Sequence, residues 1–189
     1  MTDGTLTKAD ELAQKILKLK PFLKNGGVTF SGGEPLMQAD FFCELAQLLK
    51  KEGLHIALDT SGCIYNDNAE KLIDLCDMVL LDVKMTTDED YQNYTGTSFS
   101  QVLSFLDVLQ LKQKEVWIRH VVVPGINDTS EDVLKLKDML NKYDCISKIE
   151  LLPFKNLCLE KYENLGIEFP LKDTKPLGSK ELEKLNKLI

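Results

Sequence analysis

The sequence predicts an α/β fold in which a mostly parallel sheet forms an open or partial barrel, with residues 1–189 as a single domain large enough to bury a substantial core. Three observations carry this reading. The hydrophobic period switches repeatedly between amphipathic helical stretches and short apolar runs. Those runs are apolar nearly throughout, as strands are when helices cover a parallel sheet. Strand-like and helix-like stretches also alternate strictly, which gives right-handed βαβ units.

The elements follow in order. Residues 7–23 place Leu12, Ile16, Leu19 and Leu23 on one helical face, with Thr7 as the N-cap. VTFSGG, from Val28, reads as a strand. Asp40 caps a helix through Lys51 that presents Phe41, Phe42, Leu45, Leu48 and Leu49, and Gly53 closes it. HIALDTSG, from His55, is a strand and residues 68–76 a short helix. MVLLDVK, from Met78, is a strand, followed by irregular polar sequence with Gly96. Residues 100–112 form a helix on Val102, Leu103, Leu106 and Leu109, and VWIRHVVVPG, from Val116, is the longest strand. Thr129 opens a helix carrying Val133, Leu136, Met139 and Leu140. KIELLPF, from Lys148, is the last strand, and Ser179 caps a final helix on Leu182, Leu185 and Leu188. The series opens on a helix where a βαβ series opens on a strand. Either a first strand is missing from the front or the first helix is an unrelated addition.

Composition narrows the function. With 43% apolar and 28% charged residues the chain is ordinary for a globular protein. Its net charge of −7, with lysines interspersed among acids, argues against a nucleic-acid surface, which needs a basic face. No apolar run approaches the ~20 residues that cross a bilayer, and the polar, acidic start is neither a signal nor a transit peptide. A cytoplasmic location is expected. The five cysteines, Cys43, Cys63, Cys76, Cys145 and Cys158, include no pair within four residues, so no local metal knuckle or redox pair is present. Reduced thiols are expected. His55 and His120 have no ligand-like neighbours and read as hydrogen-bonded structural residues, and Cys43 and Cys76 as inert packing.

The chemistry gathers where ligands sit in such sheets, beyond the carboxyl ends of the strands. The successive strand ends carry Gly32-Gly33-Glu34, then Asp59-Thr60-Ser61-Gly62, then Asp82-Val83-Lys84, then Arg119 with the Pro124–Asp128 turn, and finally Pro153-Phe154-Lys155. Asp82 and Lys84 stand two apart and so leave the same face of one strand. Buried charge is costly unless paired or used, so a polar binding site is the expectation, with a plain structural ion pair as the duller reading. Glycines at a strand end allow a ligand close to the backbone. Glu34 suits an ammonium group, and Lys84 or Arg119 a carboxylate, so the ligand implied is zwitterionic. Arg119 could equally pair with a core carboxylate.

In order along the chain, GGVTFSGGEPLMQ, LDTSG, LLDVK, WIRHVVVPGIND, IELLPF and KYENLG resemble the activating enzymes of glycyl radical enzymes, within the radical S-adenosylmethionine superfamily. The likeness is greatest to the pyruvate formate-lyase activators and runs from about Leu6 to Ile189. The resemblance implies a partial (β/α)6, TIM-like barrel. It implies that Gly32, Gly33 and Glu34 hold the methionyl amino group of S-adenosylmethionine, and that Asp82, Val83, Lys84 and Lys155 contact the same cofactor. By the same likeness, Asp59, Thr60 and Asp82, with the Leu80 carbonyl, form a monovalent-cation site, and Arg119 lies close to cofactor and substrate peptide as the catalytic candidate. In the family a reduced [4Fe-4S] cluster cleaves the cofactor to a 5′-deoxyadenosyl radical, which takes a hydrogen from a glycine of the partner enzyme.

Two departures stand out. The family's cluster is held by a CxxxCxxC loop after the first strand, and this sequence has none; clusters need closely placed thiolates. The absent loop and the absent first strand together predict an N-terminally truncated chain, starting at Met1 as a fragment and inactive alone. Lys155 also stands where the pyruvate formate-lyase activators have histidine, and lysine cannot accept a hydrogen bond as imidazole can. Two other readings are carried: a lysine Schiff-base lyase or aldolase using Lys84, and a degenerate, non-catalytic binding paralogue. Without a preceding strand, VTFSGG would be an unpaired edge prone to self-association.

Overall fold

The computed structural model of the chain describes residues 4–23 and 26–189. Five parallel strands lie in chain order across one sheet: β1 (Gly27–Phe30), β2 (His55–Thr60), β3 (Met78–Asp82), β4 (Glu115–Val122) and β5 (Ile146–Pro153). The helices are α1 (Ala9–Leu17), α2 (Ala39–Lys51), α3 (Asp67–Leu75), α4 (Asp88–Thr95), α5 (Phe99–Leu111), α6 (Ser130–Leu140), α7 (Leu159–Leu165) and α8 (Ser179–Asn186). The class and the parallel, sequential order agree with the sequence. Among the described residues β1 pairs with β2 alone and ends the sheet, as expected for VTFSGG. The fragment start expected at Met1 falls outside the described residues.

The core lies on one face of the sheet. Phe30, Ile56, Leu58, Val79, Leu81, Val116, Ile118 and Val122 are buried there, together with Leu45 and Leu49 of α2, Leu72 and Ile73 of α3, Leu106 and Leu109 of α5, and Leu136 and Leu140 of α6. Each such side chain contributes about 1.5–3 kcal/mol on burial. The intervening residues Asp59, Leu80, Asp82, Trp117 and Arg119 are half-buried and point to the opposite face, because successive residues of a strand alternate. The parallel register sets Leu80 beside both Asp59 and Trp117, and Asp82 beside Arg119. That second face therefore carries the charged residues of neighbouring strands in adjoining rows.

Several helix ends differ from the sequence reading. α1 begins at Ala9 with Lys8 as its N-cap, so Thr7 caps nothing; the Thr7 hydroxyl reaches only the Lys8 carbonyl, at 3.5 Å. Asp40 lies inside α2, because a single 3-10 turn, Pro35–Gln38, leads straight into the helix, with Gln38 at the cap position. Ser179 is the first residue of α8, after Gly178. Thr129 caps α6 as predicted, in a reciprocal capping box with Asp132. The segment read as irregular holds α4, started by Thr87, whose side chain accepts from the Asp90 N–H, and closed by Gly96. α7 also escaped the sequence reading.

Candidate functional site

The first strand end turns on Gly32 and Gly33, both exposed, with φ of +87° and +59°. A Cβ at either would meet nothing within 4 Å, so it is the left-handed backbone rather than crowding that calls for glycine. The next residue, Glu34, returns to extended backbone and reaches across to the end of β2. One carboxylate oxygen accepts from the Thr60 hydroxyl at 2.7 Å and the Leu36 N–H at 3.1 Å. The other accepts from the Ser61 N–H at 2.9 Å and the Ser61 hydroxyl at 2.6 Å. A carboxylate offers about four acceptor positions, and these four bonds use them. Glu34 thus ties the glycine turn to β2.

On the second face Arg119 joins two acids. Its Nε and Nη2 donate to Asp82 Oδ1 at 3.0 and 2.8 Å, and Nη2 also donates to Asp59 Oδ1. The other oxygen of Asp59 accepts from the Ser31 hydroxyl at 2.8 Å, and the other oxygen of Asp82 lies 3.3 Å from Lys84 Nζ. A continuous polar chain therefore runs from Ser31 through Asp59, Arg119 and Asp82 to Lys84, crossing the ends of β1 to β4. Two acids and two bases balance within it. Burial disfavours the Arg119 charge, but Asp82 and then Asp59 more than offset that and hold its pKa above the ordinary value.

Beyond this chain lie two cavities that share Lys84 as a wall. One, of about 160 Å³, is lined by Ser61, Cys63, Asp82, Lys84 and Tyr91. The other, of about 310 Å³, has Met85, Tyr94, Val121, Phe154 and Tyr162 on its walls. Glu34, Asp82 and Lys84 are thus brought to one edge, with Ser61 linking Glu34 to the smaller cavity. Val83 is buried and faces the core, so it meets a ligand only through its backbone. Lys155 is exposed and lines neither cavity. Thr60 is buried and gives its hydroxyl to Glu34, whereas Asp59 and Asp82 close around Arg119. The positive charge between those carboxylates is the protein's own guanidinium. Ser31 and Tyr91 are the site residues that sequence reasoning missed, and Ser61 was placed at its strand end without a role. Ser61 sits within the quoted LDTSG, but its role depends on where Glu34 lands.

The residues fit one cofactor class and not another. A zwitterionic nucleoside ligand would find a free backbone turn, both signs of charge and a partly aromatic cavity at one edge. An iron–sulfur cluster finds no holder among the described residues. All five cysteines are free, and the described residues contain no cluster of three or more His, Cys, Asp or Glu side chains arranged to hold a metal. No helix among the described residues is long and apolar enough to cross a membrane.

Comparison with known proteins adds three findings. The family model of the radical SAM superfamily matches residues 2–137. The pyruvate formate-lyase-activating enzyme of Clostridium pasteurianum is 37% identical over 191 aligned positions, covering 100% of this chain and 80% of the relative; that of Staphylococcus epidermidis is 39% identical over 88% and 70%. Among solved structures, a domain of pyruvate-formate lyase-activating enzyme from Bacteroides vulgatus superposes with a TM-score of 0.70 at 19% identity, over 87% of this chain and 92% of that one. Streptococcus suis SuiB bound to S-adenosylmethionine gives 0.70 at 15% identity, over 99% and 41%. At those identities the structures speak for the fold.

Proposed function

We propose a function on one premise: the chain belongs to the radical SAM superfamily and, within it, to the pyruvate formate-lyase-activating enzymes. Enzymes of this superfamily use S-adenosylmethionine and a [4Fe-4S] cluster, and the activity is that of an oxidoreductase-type activase whose partner is a glycyl radical enzyme, pyruvate formate-lyase or one like it. The edge formed by β1 to β4 is read as the S-adenosylmethionine-binding core. Given a reduced cluster, which the described residues do not hold, the bound cofactor would supply the radical that abstracts hydrogen from the partner. The chain's own residues bind and orient it. Gly32 and Gly33 offer backbone groups to the methionyl ammonium, with the Glu34 charge held behind them. Asp82 and Lys84 meet the polar substituents, and the walls at Val121 and Phe154 exclude water.

The observation that carries this reading is the shared Lys84 wall, which sets a charged pair against an apolar cavity at a parallel-sheet carboxyl edge. Arg119, anchored by Asp82 and Asp59, faces the same edge as the catalytic candidate nearest the partner peptide. Lys155 lies outside both cavities, next to Phe154 of the larger one, and we assign it a peripheral contact. Self-association through the β1 edge is part of the proposal, as is the lack of radical chemistry in this chain alone. The Schiff-base reading is disfavoured, since an aldolase lysine works desolvated and the Lys84 side chain is 43% exposed.

Equilibrium dialysis of labelled S-adenosylmethionine tests the site. Lys84→Met is expected to weaken uptake by about tenfold, equivalent to about 1.4 kcal/mol. Equal uptake by the chain and this variant would overturn the assignment of Lys84.

A further inference from the structure

Past the end of β3, the backbone of Val83 and Lys84 is no longer fully served by the sheet, and buried side chains take over. Val83 N–H still donates to the Arg119 carbonyl of β4 at 3.0 Å. The Val83 carbonyl meets His120 Nδ1 at 2.7 Å. The Lys84 N–H donates to the Tyr91 hydroxyl oxygen at 2.9 Å, and the Lys84 carbonyl lies 3.4 Å from the Asn127 amide nitrogen. His120, Tyr91 and Asn127 are exposed by only 1%, 1% and 6%. Three of the four backbone groups of the two residues are therefore bonded at 3.0 Å or less, two of them by buried side chains from two different stretches of chain, and Asn127 stands beside the fourth.

The three side chains also constrain each other. A carbonyl only accepts, so His120 carries its hydrogen on Nδ1 and presents Nε2 as an acceptor. The Asn127 amide nitrogen lies 3.1 Å from that Nε2 and 3.1 Å from the Val121 carbonyl, while the amide oxygen accepts from the Val123 N–H at 2.6 Å. Asn127 is fixed at both ends and fixes the imidazole tautomer in turn. Tyr91 comes from α4, where its ring stacks on Phe99 with centroids 5.2 Å apart. Burying an imidazole, a phenol and an amide costs desolvation of each. All three converge on the one segment from which Lys84 departs, and Tyr91 lines the smaller cavity beside it.

We propose that Tyr91 and His120, with Asn127 fixing the imidazole, are positioning residues that clamp the Val83–Lys84 backbone and so hold the Lys84 ammonium at the wall shared by the two cavities. This deepens the reading of the site given above and rests on it for the identity of the ligand. With the Val83–Lys84 peptide unit held at both its carbonyl and its N–H, the side chain of Lys84 starts from one direction and reaches Asp82 without ordering that unit when a ligand arrives. Less entropy is then lost on binding.

A double-mutant cycle on the full chain tests it, with S-adenosylmethionine as the probe. Tyr91→Phe keeps the ring and its stacking and removes only the oxygen. It is expected to weaken uptake about fivefold in the native background and by less than about twofold in the Lys84→Met background, the signature of residues acting through one another. Equal weakening in both backgrounds means a general structural role and overturns the proposal. A second readout needs no ligand: acetylation of Lys84, quantified by mass spectrometry against Lys155. Its rate is expected to rise at least about twofold in Tyr91→Phe while Lys155 is unchanged, since the lost bond frees the segment. Unchanged Lys84 labelling overturns the clamp. If Lys84→Met leaves uptake unaltered the assignment of Lys84 fails, and if the native chain takes up no ligand the cofactor-site reading fails; labelling alone then decides whether the ammonium is held.

Discussion

Asp82 and Arg119 stand side by side in the register of β3 and β4, and one carboxylate oxygen of Asp82 accepts from both Nε and Nη2 of the arginine. Two hydrogen bonds to a single partner, with Asp59 taking a share of Nη2, demand the planar fork of a guanidinium. Arg119→Lys keeps the charge and loses the fork. It is expected to destabilise the chain by about 1–3 kcal/mol, because one of the two part-buried carboxylates is left under-bonded. Urea denaturation of the two proteins measures this directly.

Glu34 makes a prediction of a different kind. All four bonds to its carboxylate come from donors, so Glu34→Gln would set an amide NH2 against N–H and hydroxyl groups. A loss of about 1–3 kcal/mol is expected, accompanied by faster amide hydrogen exchange at Ser61. An unchanged exchange rate there would show that the tie between the β1 and β2 ends is not made in solution.

Iron and sulfide give a third. Anaerobic reconstitution of this chain is expected to yield no four-iron absorbance or paramagnetic signal near one cluster per chain, since its free cysteines are dispersed over the fold. A stoichiometric signal would overturn the view that these residues cannot hold the cluster.

The buried His120 gives a pH dependence whose sign is fixed. Burial lowers its pKa below the ordinary 6.5, against smaller opposing effects of the Val83 carbonyl and Asp132. The unfolded chain then binds the proton first, so the imidazole's contribution to stability is complete above about 6.5 and is lost as the pH falls from there towards the folded value. Asn127→Asp places a carboxylate beside Nε2 and is expected to raise the His120 pKa, shifting that loss. Urea melts between pH 5 and 8, with the imidazole followed by NMR, give both quantities.

Light scattering tests the β1 edge. With β1 pairing β2 only among the described residues, concentration-dependent dimers or larger species are expected. A clean monomer at high concentration would remove self-association from the proposal.

Much of the fold was legible because parallel strands and the helices that cover them carry strong apolar patterns. Phe30, Ile56, Leu58, Val79 and Ile118 declare β1 to β4 by themselves. α4 was missed because only Tyr91 of its eight residues is buried, which leaves no apolar stripe. Its Thr87 cap and closing Gly96 were the signals available. α7 buries none of its residues and was equally silent. At the site, Asp82 and Lys84 were legible from the two-residue period of a strand. The partners of Glu34 were not, since a carboxylate's choice of donors depends on the register between β1 and β2. The same holds for His120, read as a hydrogen-bonded structural residue but without any indication that it grips Val83.

The order of the strands has a consequence for biosynthesis. Each strand after β1 lies beside the one made just before it, so none of these four waits for a later segment before finding a neighbour. On the ribosome, where chains emerge at about 5–20 residues per second, the sheet can grow one unit at a time behind the exit tunnel. Lys84 emerges before His120 and Asn127, so its ammonium is in place before two of the three side chains that fix its segment have been made.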